Sequence, residues 1–307
     1  MQTGSSRGWP KTLATQGDPT IKILALDLGK NKSVACILDT ESSKASYRRI
    51  RTVPFDLTIL INDVEPDRVV FEVGTSAGWV HDIMAGSGIK DIQVANPNHE
   101  GWRWRNVKRK TDRLDALKLA QLSVMDQLPT VYMPNVKTRE HRALIAYRCK
   151  LVSRRTRIKN TIRSLLHRVG RHSPAGQAGW TFESLRQLRS LARPLEACKP
   201  EGLWRGQLQE ELDALETIEQ QIHRVEKALN KRARADERIR RLQTIPCVGV
   251  RTAEMLVAVI DDPHRFRNGK EVGSYVGLVP RQYQSGQMDR QGHISKQGHR
   301  QLRQGLQ

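Results

Sequence analysis

The sequence of 307 residues has the length of about two domains, and its 38% hydrophobic and 27% charged residues are typical of a chain with a buried core. The 52 Lys and Arg against 32 Asp and Glu give a net charge of +20, which predicts a polyanionic partner, nucleic acid before membrane. No apolar run reaches the roughly 18 residues of a membrane span, and no signal peptide is visible. The four cysteines are widely separated and form no metal-ligand spacing, which favours a reduced, cytoplasmic setting. No membrane partner is expected.

The first part of the chain has an alternating pattern of strands and helices. Residues 1–19 are polar and contain Gly, Ser and Pro, which predicts a flexible leader. Residues 20–130 are expected to form one domain, with strands near 21–28, 33–39, 46–53, 68–73 and 90–95 and helices near 55–64, 77–86 and 111–126. This order predicts a mixed α/β sheet, whose first two strands form a hairpin.

Carboxylates occur at three points of this predicted domain. Asp27 interrupts the apolar first strand, Glu72 ends a later strand, and Asp112 and Asp115 lie on one face of a helix that Thr111 caps. An ionised carboxylate in an apolar strand is costly unless a cation or strong hydrogen-bond donors meet it. Acids on two strands and a following helix allow an RNase H-like fold to hold two divalent ions, about 3.5–4 Å apart, at a scissile phosphate. Because carboxylates are hard oxygen ligands, Mg²⁺ is the predicted metal for all four acids.

Simpler interpretations of the same residues remain open. Asp27 can be a turn-forming residue, and the two helix acids can serve only to complement the helix dipole. The nine histidines show no metal-ligand spacing, and we interpret them as surface or phosphate-contacting residues.

Residues 98–110 interleave aromatic and basic side chains. Such a stretch can stack on unpaired bases while its cations follow the phosphates, although a solvated loop with its Trp residues on the sheet is an equal alternative. The predicted nucleic-acid contacts are Trp102, Arg103, Trp104, Lys108, Arg109 and Lys110.

Residues 137–235 carry two heptad patterns, separated by a segment with Gly and Pro at 170–205. The repeating apolar residues are Leu144, Leu151, Ile158 and Leu165, then Leu208, Leu215, Ile222 and Leu229, with Ile218 and Val225 at a second seam position. Residues 137–171 carry 12 Lys and Arg against one acid, whereas 201–229 carry seven acids against three bases. The pattern predicts two helices that either pair as a hairpin or dimerise as a coiled coil. The basic helix is also a predicted nucleic-acid surface, with Arg154 and Arg155 as contacts.

Residues 238–307 form the third predicted domain, which we expect to be mainly helical. Between Leu242 and Leu256, a helix, a tight turn ending at Gly249 and a second helix resemble a helix-hairpin-helix motif. The turn of that motif presents backbone N–H groups to a DNA phosphate, and an ordinary helical turn is the alternative.

The order of these features resembles the DEDD transposases of the IS110 insertion-sequence family, from about residue 21 to the end of the chain. The resemblance rests on Asp27, Glu72, the helix acids, the heptad middle and two C-terminal motifs, Gly-Leu-Val-Pro-Arg…Ser-Gly at 277–286 and Ile-Ser-Lys-x-Gly-x-x-x-Leu-Arg at 294–303. It implies an RuvC-like N-terminal domain, a coiled-coil segment that makes a dimer or tetramer, and a C-terminal transposase domain whose serine attacks DNA. It also implies donor and target DNA, a structured guide RNA and a bacterial, nucleoid-associated protein.

One departure from the family pattern lies at the end of the sequence. The chain stops at Gln307 inside a predicted amphipathic helix, so we expect a C-terminal piece of the family to be missing.

The resemblance makes Ser285 the candidate nucleophile. A serine needs activation, by a bound metal or by basic residues that also neutralise the phosphate, here Arg281, Lys296 and Arg300. Attack leaves a phosphoserine link and a free 3′-hydroxyl, which preserves bond energy for rejoining. The alternatives are that Ser285 is only part of a turn, or that Ser295 is the nucleophile, although its context favours a helix cap. Because Ser285 and the acids lie far apart in sequence, we expect a composite site between domains and protomers.

Three functions compete on this reading. The favoured one is an RNA-guided DNA recombinase, and the second is a metal nuclease of the Holliday-junction-resolving type, which does not need Ser285. The third is a sugar-kinase-like or actin-like ATPase, which should have a second Asp-x-Gly phosphate loop and an adenosine-binding Gly pair, and the sequence has neither. A non-enzymatic RNA binder would tolerate loss of all four acids.

Overall fold

The computed structural model describes residues 20–97, 111–172 and 174–306, and the chain divides into two compact units between Val136 and Lys137. In the first unit, the strands are β1 (Lys22–Asp27), β2 (Lys32–Asp39), β3 (Lys44–Arg51), β4 (Arg68–Glu72) and β5 (Asp91–Ala95). Its helices are α1 (Pro54–Val64), α2 (Ala77–Gly86) and α3 (Asp112–Val124). Each element lies within two residues of its predicted position, because each is encoded by a local apolar pattern.

The five strands form one mixed sheet in the order β3-β2-β1-β4-β5. The β1–β2 and β2–β3 pairs are antiparallel, whereas β4 is parallel to both β1 and β5. The predicted α/β sheet and its first hairpin are therefore confirmed. This strand order is consistent with the expected RNase H-like domain.

The two faces of the sheet are covered by different helices, and the alternation of side chains decides which residues face which helix. Leu24, Leu26 and Phe71 pack with apolar residues of α1 and α2 on one face. Ile23, Ala25 and Val70 face the other way and pack against α3 through Ala116, Leu119 and Ala120. Fully burying a side chain such as Phe71 stabilises the fold by roughly 1.5–3 kcal/mol.

The second unit is built on two helices of 33 residues each, α4 (Val136–Arg168) and α6 (Leu203–Ala235). Ion pairs join Arg148 to Glu226 and Arg155 to Glu219, so the two helices run antiparallel. Leu151 and Leu165 of α4 pack in one core with heptad residues of α6 that include Leu208, Leu215, Ile218 and Ile222. Of the two predicted alternatives, the structure shows the helical hairpin within one chain.

The sequence analysis assigned no helix or strand to the segment between the long helices. It contains α5 (Phe182–Leu191), and the side chain of Thr181 caps this helix by accepting a hydrogen bond from the backbone N–H of Ser184. Leu185, Leu188 and Leu191 of α5 pack on the core of the long helices. Because only three apolar residues form the buried stripe of α5, its helical pattern is hard to recognise in a segment that contains Gly and Pro.

The C-terminal part contains α7 (Glu237–Leu242), α8 (Val250–Ile260), α9 (Gly269–Val276), β6 (Pro280–Ser285), β7 (Met288–Ile294) and α10 (Arg300–Gly305). Helical residues outnumber strand residues in this part, and the antiparallel β6–β7 hairpin is an element that the sequence analysis did not predict. It was missed because its residues are polar on both faces, so no alternation of apolar residues marks the strands.

Close backbone contacts fix the base of this hairpin. Gly277 ends α9 with a φ of +80°, and an added Cβ there would collide with the backbone of Gln297. The buried side chain of Arg303 donates hydrogen bonds of 2.9 Å to the carbonyls of Val276 and Gln297. The start of α10 is thereby held against the end of α9.

Candidate functional site

Two of the predicted acids lie side by side at the ends of adjacent parallel strands. The register pairs Leu26 with Phe71, and the next residues along the two strands are Asp27 and Glu72. Both carboxylates are half-buried. Because Ala25 and Val70 face α3, the residues two positions further on, Asp27 and Glu72, are on the α3 face as well.

The end of α3 lies beside the start of β4, which indicates where its first turn is. Ser123, near the end of α3, accepts a hydrogen bond of 3.0 Å through its backbone carbonyl from Arg68, the first residue of β4. Eight helical residues back to Asp115 cover about 12 Å, and four strand residues from Arg68 to Glu72 cover about 13 Å. If α3 runs along the strands, these lengths predict that its first turn, with Asp112 and Asp115, lies near the level of Glu72.

The predicted cap of α3 is confirmed. Thr111 accepts a hydrogen bond of 3.3 Å from the N–H of Leu114 through its side chain, and both acids lie in the first turn. Asp112 is exposed and Asp115 is half-buried. The dipole-complementing role and the metal role of these acids are compatible, because both favour the ionised form.

The donor set fits a hard divalent cation, since it consists of carboxylate oxygens at one end of a sheet. Within residues 20–97, 111–172 and 174–306, however, no group of three or more His, Cys, Asp or Glu side chains is close enough to hold a metal ion. The four-acid metal site thus remains a prediction, supported by backbone placement rather than by converged side chains.

The turn after Asp27 is tightly built. An added Cβ on Gly29 would collide with the carbonyl oxygen of Lys32, so only glycine fits there. The hydroxyl of Thr52 donates a hydrogen bond of 2.9 Å to the carbonyl of Gly29 and lies 2.7 Å from the hydroxyl of buried Ser33. These contacts fix the chain beside the first acid.

The predicted aromatic and basic contacts of residues 98–110 lie outside the described residues. They comprise Trp102, Arg103, Trp104, Lys108, Arg109 and Lys110.

Ser285 is the last residue of β6, at the tip of an exposed hairpin. It pairs with Met288 across a two-residue turn, in which Gly286 has a φ of +58°. The serine is therefore accessible, and it lies directly before the turn. Paired residues of antiparallel strands share a face, so Tyr283 and Arg290 lie on the side of Ser285, whereas Gln284 and Asp289 lie on the other side.

Arg290 is a candidate that the sequence reasoning missed. Arg290 lies on the strand opposite Ser285, two residues from the position that pairs with it. This proximity follows from the pairing of β6 with β7 and is not evident from the sequence. A two-residue Gly-containing turn between polar segments was the available signal.

The basic residues assigned to Ser285 lie around the base of the hairpin. Arg281 lies on β6 and donates a hydrogen bond of 3.4 Å to the carbonyl of Ser295. Lys296 and Arg300 are exposed. The expectation that Ser295 caps a helix is wrong, because α10 begins at Arg300 and its cap is His299, whose Nδ1 accepts from the N–H of Leu302.

The helix-hairpin-helix candidate consists of two helices joined by residues 243–249. Helix α7 ends at Leu242, and α8 begins after Gly249, which is exposed and has no side-chain cap. The first N–H groups of a helix have no partner within it, so this turn can present donors to a phosphate.

The two arginines of the basic helix that were predicted as nucleic-acid contacts have different environments in the structure. Arg154 is exposed, whereas Arg155 forms an ion pair of 3.3 Å with Glu219 of α6. Arg155 is thus used in pairing the helices.

The interpretation of the histidines as surface or phosphate-contacting residues is wrong for His141, which is buried and lies 3.3 Å from the carboxylate of Glu254. Of the helices in the described ranges, none is long and apolar enough to cross a membrane.

Two family models match the sequence. Residues 24–170 match a DEDD transposase model for IS110 elements, and residues 239–306 match a model described as the transposase IS116/IS110/IS902 family. The first match includes all four predicted acids, and the second includes Ser285.

Curated relatives match over most of the chain. The pilin gene-inverting protein of Moraxella lacunata is 35% identical over 304 residues, which cover 92% of this chain and 80% of the relative. The transposase for insertion sequence element IS1111A of Coxiella burnetii is 29% identical over 287 residues, with 92% and 75% covered. The transposase for insertion sequence element IS1328 of Yersinia enterocolitica is 27% identical over 295 residues, with 93% and 81% covered.

Proposed function

Because the chain belongs to the IS110 family of transposases, we propose that it cuts and rejoins DNA with four acids of its first unit and a serine of its second unit. Transposase activity itself follows from the family, so DNA is a partner. The observation that carries the proposal is the placement of Asp27 and Glu72 beside each other on the face covered by α3. The DEDD domain indicates divalent metal use, and we propose Mg²⁺ as the ion.

The four carboxylates have a defined role in this proposal. Asp27, Glu72, Asp112 and Asp115 would hold Mg²⁺, which supplies positive charge to stabilise the attacking and leaving oxygens at a phosphate. The half-buried positions of Asp27 and Glu72 favour ligand binding, because carboxylates in such positions are stabilised by a cation.

Replacement of the acids tests this assignment. An Asp27→Ala or Asp115→Ala variant should lose DNA strand cleavage while nucleic-acid affinity stays nearly unchanged. Asp63→Asn is the matched control, because Asp63 forms an exposed ion pair with Arg48 and should keep full cleavage. Full cleavage by an Asp27→Ala/Asp115→Ala double variant would refute the metal-site proposal.

The second element is Ser285 as nucleophile. Its Oγ attacks the phosphorus, the Oγ–P bond forms, and the bond from phosphorus to the 3′-oxygen breaks. The serine gives up its proton to a base, and the leaving 3′-oxygen takes up a proton to become a free hydroxyl. The exposure of Ser285 supports access to DNA, and Arg290 on the same face and Arg281 on the same strand supply positive charge for the phosphate.

A covalent adduct decides the role of this serine. Incubation with end-labelled DNA should give a phosphoserine adduct that maps to Ser285 and is lost in Ser285→Ala. Ser295→Ala is the matched control and should keep the adduct. An adduct that survives Ser285→Ala, or that maps to Ser295, would overturn the assignment. Cleavage without any adduct would favour the alternative of a metal-dependent nuclease of the Holliday-junction-resolving type.

We further propose a structured guide RNA and an even homo-oligomer as partners. Exposed Arg154 and the Gly249 turn are candidate phosphate contacts in the second unit, together with exposed Lys296 and Arg300. The heptad seam is occupied within the chain, so assembly would use another surface. Pull-down of the protein with sequencing of bound RNA tests the first partner, and recovery of only random RNA would contradict it.

A further inference from the structure

The pairing of β3, β2 and β1 aligns a cation, Arg49, with the first predicted acid, Asp27. Arg49 of β3 pairs with Val34 of β2, and Val34 pairs with Asp27 of β1. Residues paired across antiparallel strands point to the same face, so Arg49 shares the α3 face with Asp27. Two strand spacings separate them, which is about 10 Å. Arg49 is exposed.

A second cation comes from α3. Arg113 lies between the two helix acids, and its guanidinium carbon is 5.6 Å from the ring centroid of Tyr47. Tyr47 lies two residues before Arg49 on β3 and therefore faces the same way. Tyr47 pairs with Cys36 of β2 and packs against the core on the α3 face. Arg113 and Arg49 thus lie on the β3 side of the predicted acids.

The other arginines of the same strand are neutralised. Arg48 forms an ion pair of 3.1 Å with Asp63, and Arg51 forms one of 2.7 Å with Asp56, both on α1. Among the described residues, neither Arg49 nor Arg113 has a carboxylate partner in an ion pair. Their charge is therefore available to a ligand anion.

We propose that Arg49 and Arg113 are positioning residues, which hold phosphates of the DNA strand next to the phosphate that the acids act upon, on the β3 side of the site. This inference rests on the proposed function of the acids. A row of carboxylates repels a polyanion, and cations at its rim offset that repulsion. The guanidinium groups also match phosphate oxygens in geometry, and stacking on Tyr47 restricts Arg113.

The salt dependence of DNA binding tests the proposal on the full chain. Each lost phosphate contact should lower the slope of log affinity against log salt by roughly 0.9 for duplex DNA. We therefore expect a smaller slope for Arg49→Ala/Arg113→Ala, measured by fluorescence anisotropy with a labelled mixed-sequence duplex between about 50 and 200 mM salt. Arg49→Lys/Arg113→Lys keeps both charges and should restore the slope. Arg48→Ala is the matched control, because Arg48 lies on the opposite face and is already paired.

Parallel measurements separate this inference from the function on which it rests. If Asp27→Ala loses cleavage while the Arg49→Ala/Arg113→Ala slope equals that of Arg48→Ala, the positioning role is refuted and the acid site stands. If Asp27→Ala cleaves DNA fully, the proposed acid site fails, whatever the slope. A slope change that appears only with a structured RNA probe, and not with DNA, would also overturn the positioning role.

Discussion

Glu254 is the most deeply buried charged residue among those described, and its replacement by Gln gives a quantitative test of the second unit. Its carboxylate lies 2.5 Å from the guanidinium of Arg251 and 3.3 Å from Nε2 of His141. Only 1% of the Glu254 side chain is exposed, against 24% for Arg251. Removing one partner of a buried pair typically costs about 3–5 kcal/mol, because the other charge is left uncompensated.

The lower end of that range applies here. Arg251 is partly solvated and keeps its hydrogen bond to Asn230, so we expect Glu254→Gln to lower the free energy of local unfolding by about 3 kcal/mol. Since about 1.4 kcal/mol corresponds to a tenfold change, amide hydrogen exchange in α8 should accelerate about 100-fold.

The matched control for this experiment is Glu226→Gln. Glu226 pairs with Arg148 at 2.6 Å, but the two side chains are 34% and 25% exposed, so the pair is worth about 0–1 kcal/mol. Exchange in α8 should change less than tenfold in this control. Equal acceleration in the two variants would refute the argument that burial gives Glu254 its larger effect.

Two further predictions concern the C-terminal part. Burial, with the charges of Arg142 and Arg303, lowers the pKa of His299, so the unfolded chain takes up a proton near pH 6.5 that the folded imidazole does not yet bind. Stability of α10 should fall as the pH drops from about 6.5 towards the folded pKa and then level off, as read by exchange of the Leu302 amide; a rise in protection at low pH would contradict this. Gly277→Ala should lower the midpoint of thermal unfolding more than Gly286→Ala, because both have positive φ but only an added Cβ at 277 meets backbone; equal shifts would contradict the collision.

The sequence predicted the first unit well because its strands are apolar runs that end in turns. The run Ile23–Leu26, for example, is buried on both faces of the sheet and reads as a strand without tertiary information. The heptads of the long helices were equally readable, and their opposite charges indicated that they pair. That they pair within one chain is evident only from the structure, in which Glu219 and Glu226 lie opposite Arg155 and Arg148.

Two of the misses depend on contacts between residues distant in sequence, and one depends on a strand pair without an apolar pattern. His141 is buried because Glu254, 113 residues away, faces it. The strands of the β6–β7 hairpin are exposed on both faces and mostly polar, so only the Gly-containing turn between them signals a hairpin. The row that joins Arg49 to Asp27 depends on a strand register, which periodicity within a single strand does not encode.

The distribution of charge along the chain explains why cations beside the acids matter. Residues 137–307 contain 34 Lys and Arg against 17 Asp and Glu, a net charge of +17, whereas residues 1–136 contain 18 against 15, a net charge of +3. We therefore expect general affinity for nucleic acid to reside mainly in the second unit, and loss of one acid to change it little. The first unit has almost no net charge with which to attract DNA to its carboxylates. In the proposed role, Arg49 and Arg113, which have no carboxylate partner among the described residues, would supply positive charge locally where the first unit as a whole does not.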